Sequence, residues 1–137
     1  ALTLFIPMLM DTGGNSGGQA SVTIIRAMSL GDVEFADWLL VIWKELRVSL
    51  LCALTLGVVV FGKVMAIDRK NATVALVVAL TIFFTIVIAK LIGCTLPMLA
   101  KRLGFDPAVM ASPFITTVVD ALSLLIYFAI ATQVLGL

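Results

Sequence analysis

The sequence predicts an all-α polytopic membrane helical bundle, and three observations carry that expectation. Apolar residues fill 62% of the 137 positions and charged residues only 12%, about half the charged share of a water-soluble domain. Mean hydropathy is +1.22, so polar side chains are too few to solvate a globule and the apolar excess must face lipid. The apolar residues also gather into segments of membrane-spanning length, about 20 residues or more. Backbone groups facing lipid must be satisfied within their own segment, so these stretches read as four long transmembrane helices with no β-structure.

The first segment runs from about residue 2 to 28, with the polar string DTGGNSGGQAS in its middle. The second runs from about 39 to 64, with Lys44, Glu45 and Arg47 near its start, and the third from about 72 to 99. The fourth is expected over 107–137, entered through KRLGFDP. There Gly104 suits a helix C-terminus, Asp106 an N-cap and Pro107 a first helical position. SLGDVEFAD forms the first loop, and Asp68, Arg69, Lys70 and Asn71 the second. Basic residues favour the first and third loops, which the positive-inside rule places on the cytoplasmic side.

Composition also excludes functions. Net charge is +1 with scattered basic residues, which gives nucleic acid no footprint. Without histidine there is no Ser-His-Asp or HExxH chemistry, and the chain is not expected to be an enzyme. Cys52 and Cys94 lie inside apolar runs and behave as small hydrophobes. The opening ALTLFIPMLM has no initiating Met or basic leader and reads as a piece of a longer chain.

Ionisable groups within a membrane are costly and mark function by default. Asp11, Asn15 and Gln19 recur every four residues and share one helix face. Gly13 with Gly17, and Gly14 with Gly18, form GxxxG pairs that serve either helix packing or the wall of a polar pathway. Asp120 lies in TTVVDALSLL, with Thr116 and Thr117 one turn before it and Ser123 one turn after. Pro113 inside that helix would free the carbonyl of Val109. Counted from the membrane surface at about 1.5 Å per residue, Asn15 and Asp120 each lie roughly 20 Å deep, so they fall at one level. Lys90, also near mid-depth, is expected in a structural ion pair with Glu45 or Asp11. In WKELR, Lys44, Arg47 and the tryptophans Trp38 and Trp43 read as interface anchors.

PMLMDTGGNSGGQAS with IIRA, the WKE opening, LPMLAKRLGFDPAV and SPFITTVVDALSLLIYF together resemble the membrane domain of the MgtE family of magnesium channels and its eukaryotic solute-carrier relatives. The resemblance implies a homodimer with five helices per subunit and an ion path along the dimer axis, in a prokaryotic plasma membrane. Residues 1–137 would then be the ion-conducting domain, with the first, N-terminal helix and a cytoplasmic magnesium-sensing domain outside it. It implies that Asp120 holds a largely hydrated Mg²⁺ with Asn15 as a further site residue, while Asp11, a departure from the family, is expected as an additional acidic metal site nearer the outer face. Gly13, Gly14, Gly17, Thr116, Thr117 and Ser123 would line the pore. Asp11 stands where some bacterial members carry a neutral residue, and Ser123 where glycine is frequent. Mg²⁺ keeps most of its water and needs only one or two carboxylates; Mn²⁺ and Co²⁺ fit the same chemistry. The alternative is a secondary transporter of an organic anion, in which a glycine-broken helix and Lys90 supply the positive charge.

Overall fold

A computed structural model describes residues 2–110 and 113–136. Among them there is no strand, and the chain runs through four α-helices: α1 (Ile6–Ser29), α2 (Trp38–Ala66), α3 (Ala72–Arg102) and α4 (Pro113–Leu135). Short 3-10 turns occupy Leu2–Phe5, Phe35–Asp37 and Pro107–Met110.

The helix ends follow from the residues that occupy them. Gly31 (φ 78) and Gly104 (φ 85) take left-handed backbone just past α1 and α3. Gly31 and Asp32 donate to the carbonyls of Met28 and Ala27, and Gly104 and Phe105 to those of Lys101 and Ala100, so each glycine closes a Schellman motif. Asn71 Oδ1 accepts from the Val74 N–H at 2.9 Å and caps the start of α3.

The fourth segment departs from the expected single helix. Pro107–Met110 is a separate turn and Pro113 heads α4 rather than interrupting it. At a first helical position proline loses no intrahelical bond. Ala111, Ser112 and Leu137, which belong to the expected span, lie outside the described residues. Asp106 still acts as a cap, its Oδ1 accepting from the Ala108 N–H at 3.0 Å.

Among the described residues three stretches, Phe35–Ala66, Ala72–Arg102 and Pro113–Leu135, are long and apolar enough to cross a membrane. The first expected span is not among them. Its 24 residues make a helix about 36 Å long, but the polar string at 11–19 dilutes its apolar character.

Helix α3 is the centre of the bundle, packed by α1, α2 and α4, whereas α2 leans chiefly on α3. One core joins Val77, Val78, Ile82 and Ile86 of α3 to Leu9, Ala53, Val60, Val64, Tyr127 and Ala131. A second, nearer the first loop, joins Ala20, Ile24 and Met28 of α1 to Cys94 and Met98 of α3. Leu51, Leu54 and Val58 of α2 and Leu125 of α4 point outward, as lipid-facing positions should. Both cysteines are free thiols.

Candidate functional site

The glycine string of α1 does not break the helix, which is continuous from Ile6 to Ser29. Instead its two faces divide the labour. Gly13 and Gly17 are buried against α3 and α4. A Cβ on Gly13 would lie 2.6 Å from Thr85 Cγ2, 2.8 Å from Ser123 Oγ and 2.9 Å from Val119 Cγ1. One on Gly17 would lie 3.0 Å from Ile115 Cγ2 and 3.1 Å from the Ala89 carbonyl oxygen. One on Gly93 of α3 would strike the Gly17 carbonyl oxygen itself. The α1 and α3 backbones therefore touch, which only glycine permits.

The neighbouring face borders a groove, with Gly14 itself buried beneath Thr116, and Asn15 and Gln19 exposed. Gly14, Asn15, Gly18, Gln19 and Thr116 line a concavity of about 350 Å³ together with Val22 and Thr23. A Cβ on Gly14 would lie 3.1 Å from Thr116 Cγ2 and 3.6 Å from Asp120 Oδ1. Gly14 is thus the α1 residue placed against the carboxylate, one position from the expected Asn15, whose side chain is exposed. Asp120 Oδ1 is buried and accepts no hydrogen bond among the described residues. Asp11 is exposed one turn earlier on α1.

The expected lining residues separate accordingly. Gly14, Asn15 and Thr116 share the open groove beside Asp120. Gly13, Gly17 and Ser123 belong to the buried three-helix contact, where Ser123 Oγ donates to the Val119 carbonyl at 2.7 Å. Thr117 is exposed and donates to the Pro113 carbonyl at 2.9 Å.

Lys90 lies away from this groove. Its Nζ donates to Glu45 Oε1 at 3.3 Å, joining α3 to α2, so of the two expected partners it takes Glu45 and not Asp11. The organic-anion alternative loses both supports, because α1 is unbroken and the cation it needs is already paired with a carboxylate. In WKELR, Arg47 stacks over Trp43 at 5.8 Å, and Trp38 Nε1 donates to Thr95 Oγ1 at 3.2 Å.

Two contributors escaped the sequence reading, Gly93 and Thr85. Ala89 and Gly93 form a small-xxx-small pair that marks a close-packing face. Thr85 carries no comparable signal; its buried Oγ1 has no partner among the described residues.

The groove, the buried glycine contact and the lone carboxylate of the last helix occur along a stretch that matches a known profile. A family model described as MgtE, a divalent cation transporter, matches residues 6–130. The chain belongs to the MgtE family. It is 38% identical over 135 residues to the magnesium transporter MgtE of Thermus thermophilus, covering 98% of this chain and 30% of that protein. To the magnesium transporter MgtE of Bacillus subtilis it is 36% identical over 132 residues, covering 96% of this chain and 29% of that protein. The chain therefore spans about 30% of the length of these curated relatives. MgtE is a family of transporters rather than of enzymes. Its bacterial relatives and the three apolar spans place the chain as a multi-pass protein of a prokaryotic cell membrane.

Proposed function

We propose that this chain is the ion-conducting domain of a magnesium transporter, with Asp120 as the residue that holds the ion. The observation that carries the reading is the Asp120 carboxylate, set deep in α4 against Gly14 with one oxygen buried and unpartnered. An unpaired carboxylate within a membrane is too costly to be retained for packing alone, and a passing cation supplies the missing partner.

The donor set suits Mg²⁺ as cargo. Among the described residues no three carboxylate or thiol side chains converge, so one chain offers no cage for a dehydrated ion. Mg²⁺ dehydrates reluctantly and is held by one or two carboxylates through retained waters. The concavity of about 350 Å³ beside Thr116 and Asn15 gives those waters room and polar partners. A twofold axis along this groove would bring a second Asp120 from a second copy, and α1 would then cross the bilayer as a fourth span, its polar face turned to the pore. The first helix and a regulatory domain, absent from this stretch, would complete each subunit. Mn²⁺ and Co²⁺ would share the route. Asp11, exposed on the same side, would add negative charge on the approach to Asp120.

The experiment is Mg²⁺ flux into proteoliposomes carrying the wild-type chain or Asp120→Ala. Flux that vanishes in the variant while the same oligomer is recovered supports the reading. Unchanged flux removes Asp120 from it.

A further inference from the structure

Away from the ion groove, where α1 and α3 end together, a hollow of about 260 Å³ is lined by Met28, Glu34, Phe35, Met98, Lys101 and Arg102. Helix α3 has 31 residues and is about 45 Å long, so its ends overreach the hydrocarbon core of about 30 Å. Its last turn, with this hollow, therefore stands in the headgroup layer.

The charges around the hollow are held in place and kept apart. The Arg102 guanidinium lies over the Phe35 ring at 4.3 Å, a cation–π contact that holds the charge at this end of α3. Lys101 Nζ donates to the Met28 carbonyl oxygen at 3.4 Å and has two further protons. Among the described residues the ion pairs are Lys63–Asp68 and Lys90–Glu45, so neither Lys101 nor Arg102 meets a carboxylate, and Glu34, whose backbone N–H donates to Asp37 Oδ2 at 3.0 Å in a capping box, meets no cation. Met28 and Met98, both buried, form an apolar floor. Basic residues at a helix C-terminus are expected from the helix dipole alone. The dipole does not explain why two cations and a separated carboxylate surround one hollow with a methionine floor.

From this arrangement we infer that the hollow is a lipid site for a headgroup carrying both a phosphate and an ammonium, that is, a phosphatidylethanolamine. The phosphate lies between Arg102 and Lys101, the ammonium meets Glu34, and an acyl chain leaves over Met28 and Met98. Planar guanidinium and phosphate pair bidentately, and the carboxylate discriminates against purely anionic headgroups by repulsion.

The test is lipid titration of the purified full chain in detergent micelles, read by native mass spectrometry with phosphatidylethanolamine, phosphatidylglycerol and soluble phosphoethanolamine as probes. The wild type is expected to bind phosphatidylethanolamine about tenfold more tightly than phosphatidylglycerol, the worth of one charge-assisted contact. Glu34→Gln erases that preference without weakening phosphatidylglycerol, and Arg102→Ala weakens both lipids about tenfold. Lys101→Gln, which keeps a donor for the Met28 carbonyl, carries the same test if Arg102→Ala does not fold. Equal binding of the two lipids by the wild type, or variants that bind as the wild type does, overturns the assignment. Soluble phosphoethanolamine that binds as tightly as the lipid overturns the lipid as its occupant.

Discussion

Gly14 of α1 sits against Asp120 of α4, so close that a Cβ added to it would lie 3.6 Å from Asp120 Oδ1 and 3.1 Å from Thr116 Cγ2. That contact connects the glycine-rich helix to the carboxylate. In the proposed mechanism a hydrated ion beside Asp120 would use the space that the missing side chain leaves. Gly14→Ala should change thermal stability only modestly, because the Thr116 methyl that a Cβ meets at 3.1 Å need give by only a few tenths of an ångström, while Mg²⁺ flux in proteoliposomes falls severalfold. Full flux in that variant would separate the groove from conduction.

The buried glycines make the opposite prediction. Gly93→Ala places a methyl against the Gly17 carbonyl oxygen, and backbone cannot yield as a side-chain tip does. Overpacking of this kind costs about 1–3 kcal/mol. Gly62 of α2 has nothing within 4 Å, so Gly62→Ala gains about 1 kcal/mol of helix propensity. Thermal unfolding in one detergent should therefore order the variants Gly62→Ala, wild type, Gly93→Ala from most to least stable.

The Lys90–Glu45 pair, at 3.3 Å with little exposed surface, fastens α2 to the central helix. Removing one partner strands the other charge, at a cost of about 3–5 kcal/mol, whereas replacing both with apolar residues of similar size is near neutral. Lys90→Met alone should lower the melting temperature clearly, and Lys90→Met with Glu45→Leu should recover most of the loss. Because the pair stands apart from the groove, the double variant should carry Mg²⁺ at the wild-type rate. A transport defect that persists in a stable double variant would assign the pair a part in conduction.

The fold class was legible because lipid leaves a chain few options: long apolar runs must be helices, and 39–64 and 72–99 lie inside α2 and α3. The start of α4 was misplaced because Asp106 and Pro107 carry the same signal for a short turn as for a long helix, and Pro113 repeats it six residues on. Lys90 was recognisable as an ion-pair residue from its depth. The choice between Glu45 and Asp11 depends on which helices touch, which spacing along one helix does not encode. The same limit explains Gly13, Gly17 and Ser123. A GxxxG pair announces a close approach, and only the positions of α3 and α4 decide that Gly13 and Gly17 face protein while Gly14 and Gly18 face the groove.

Asp120 is where the account is tested most directly. Asp120→Asn keeps the size and shape of the side chain while exchanging the charged carboxylate for a neutral amide, and the melting temperature and oligomeric state separate loss of fold from loss of ion binding. Mg²⁺ uptake by proteoliposomes with a luminal Mg²⁺ indicator should fall to the protein-free background in Asp120→Asn, at unchanged melting temperature and oligomeric state. Uptake at the wild-type rate would contradict the claim that this carboxylate holds the ion in transit.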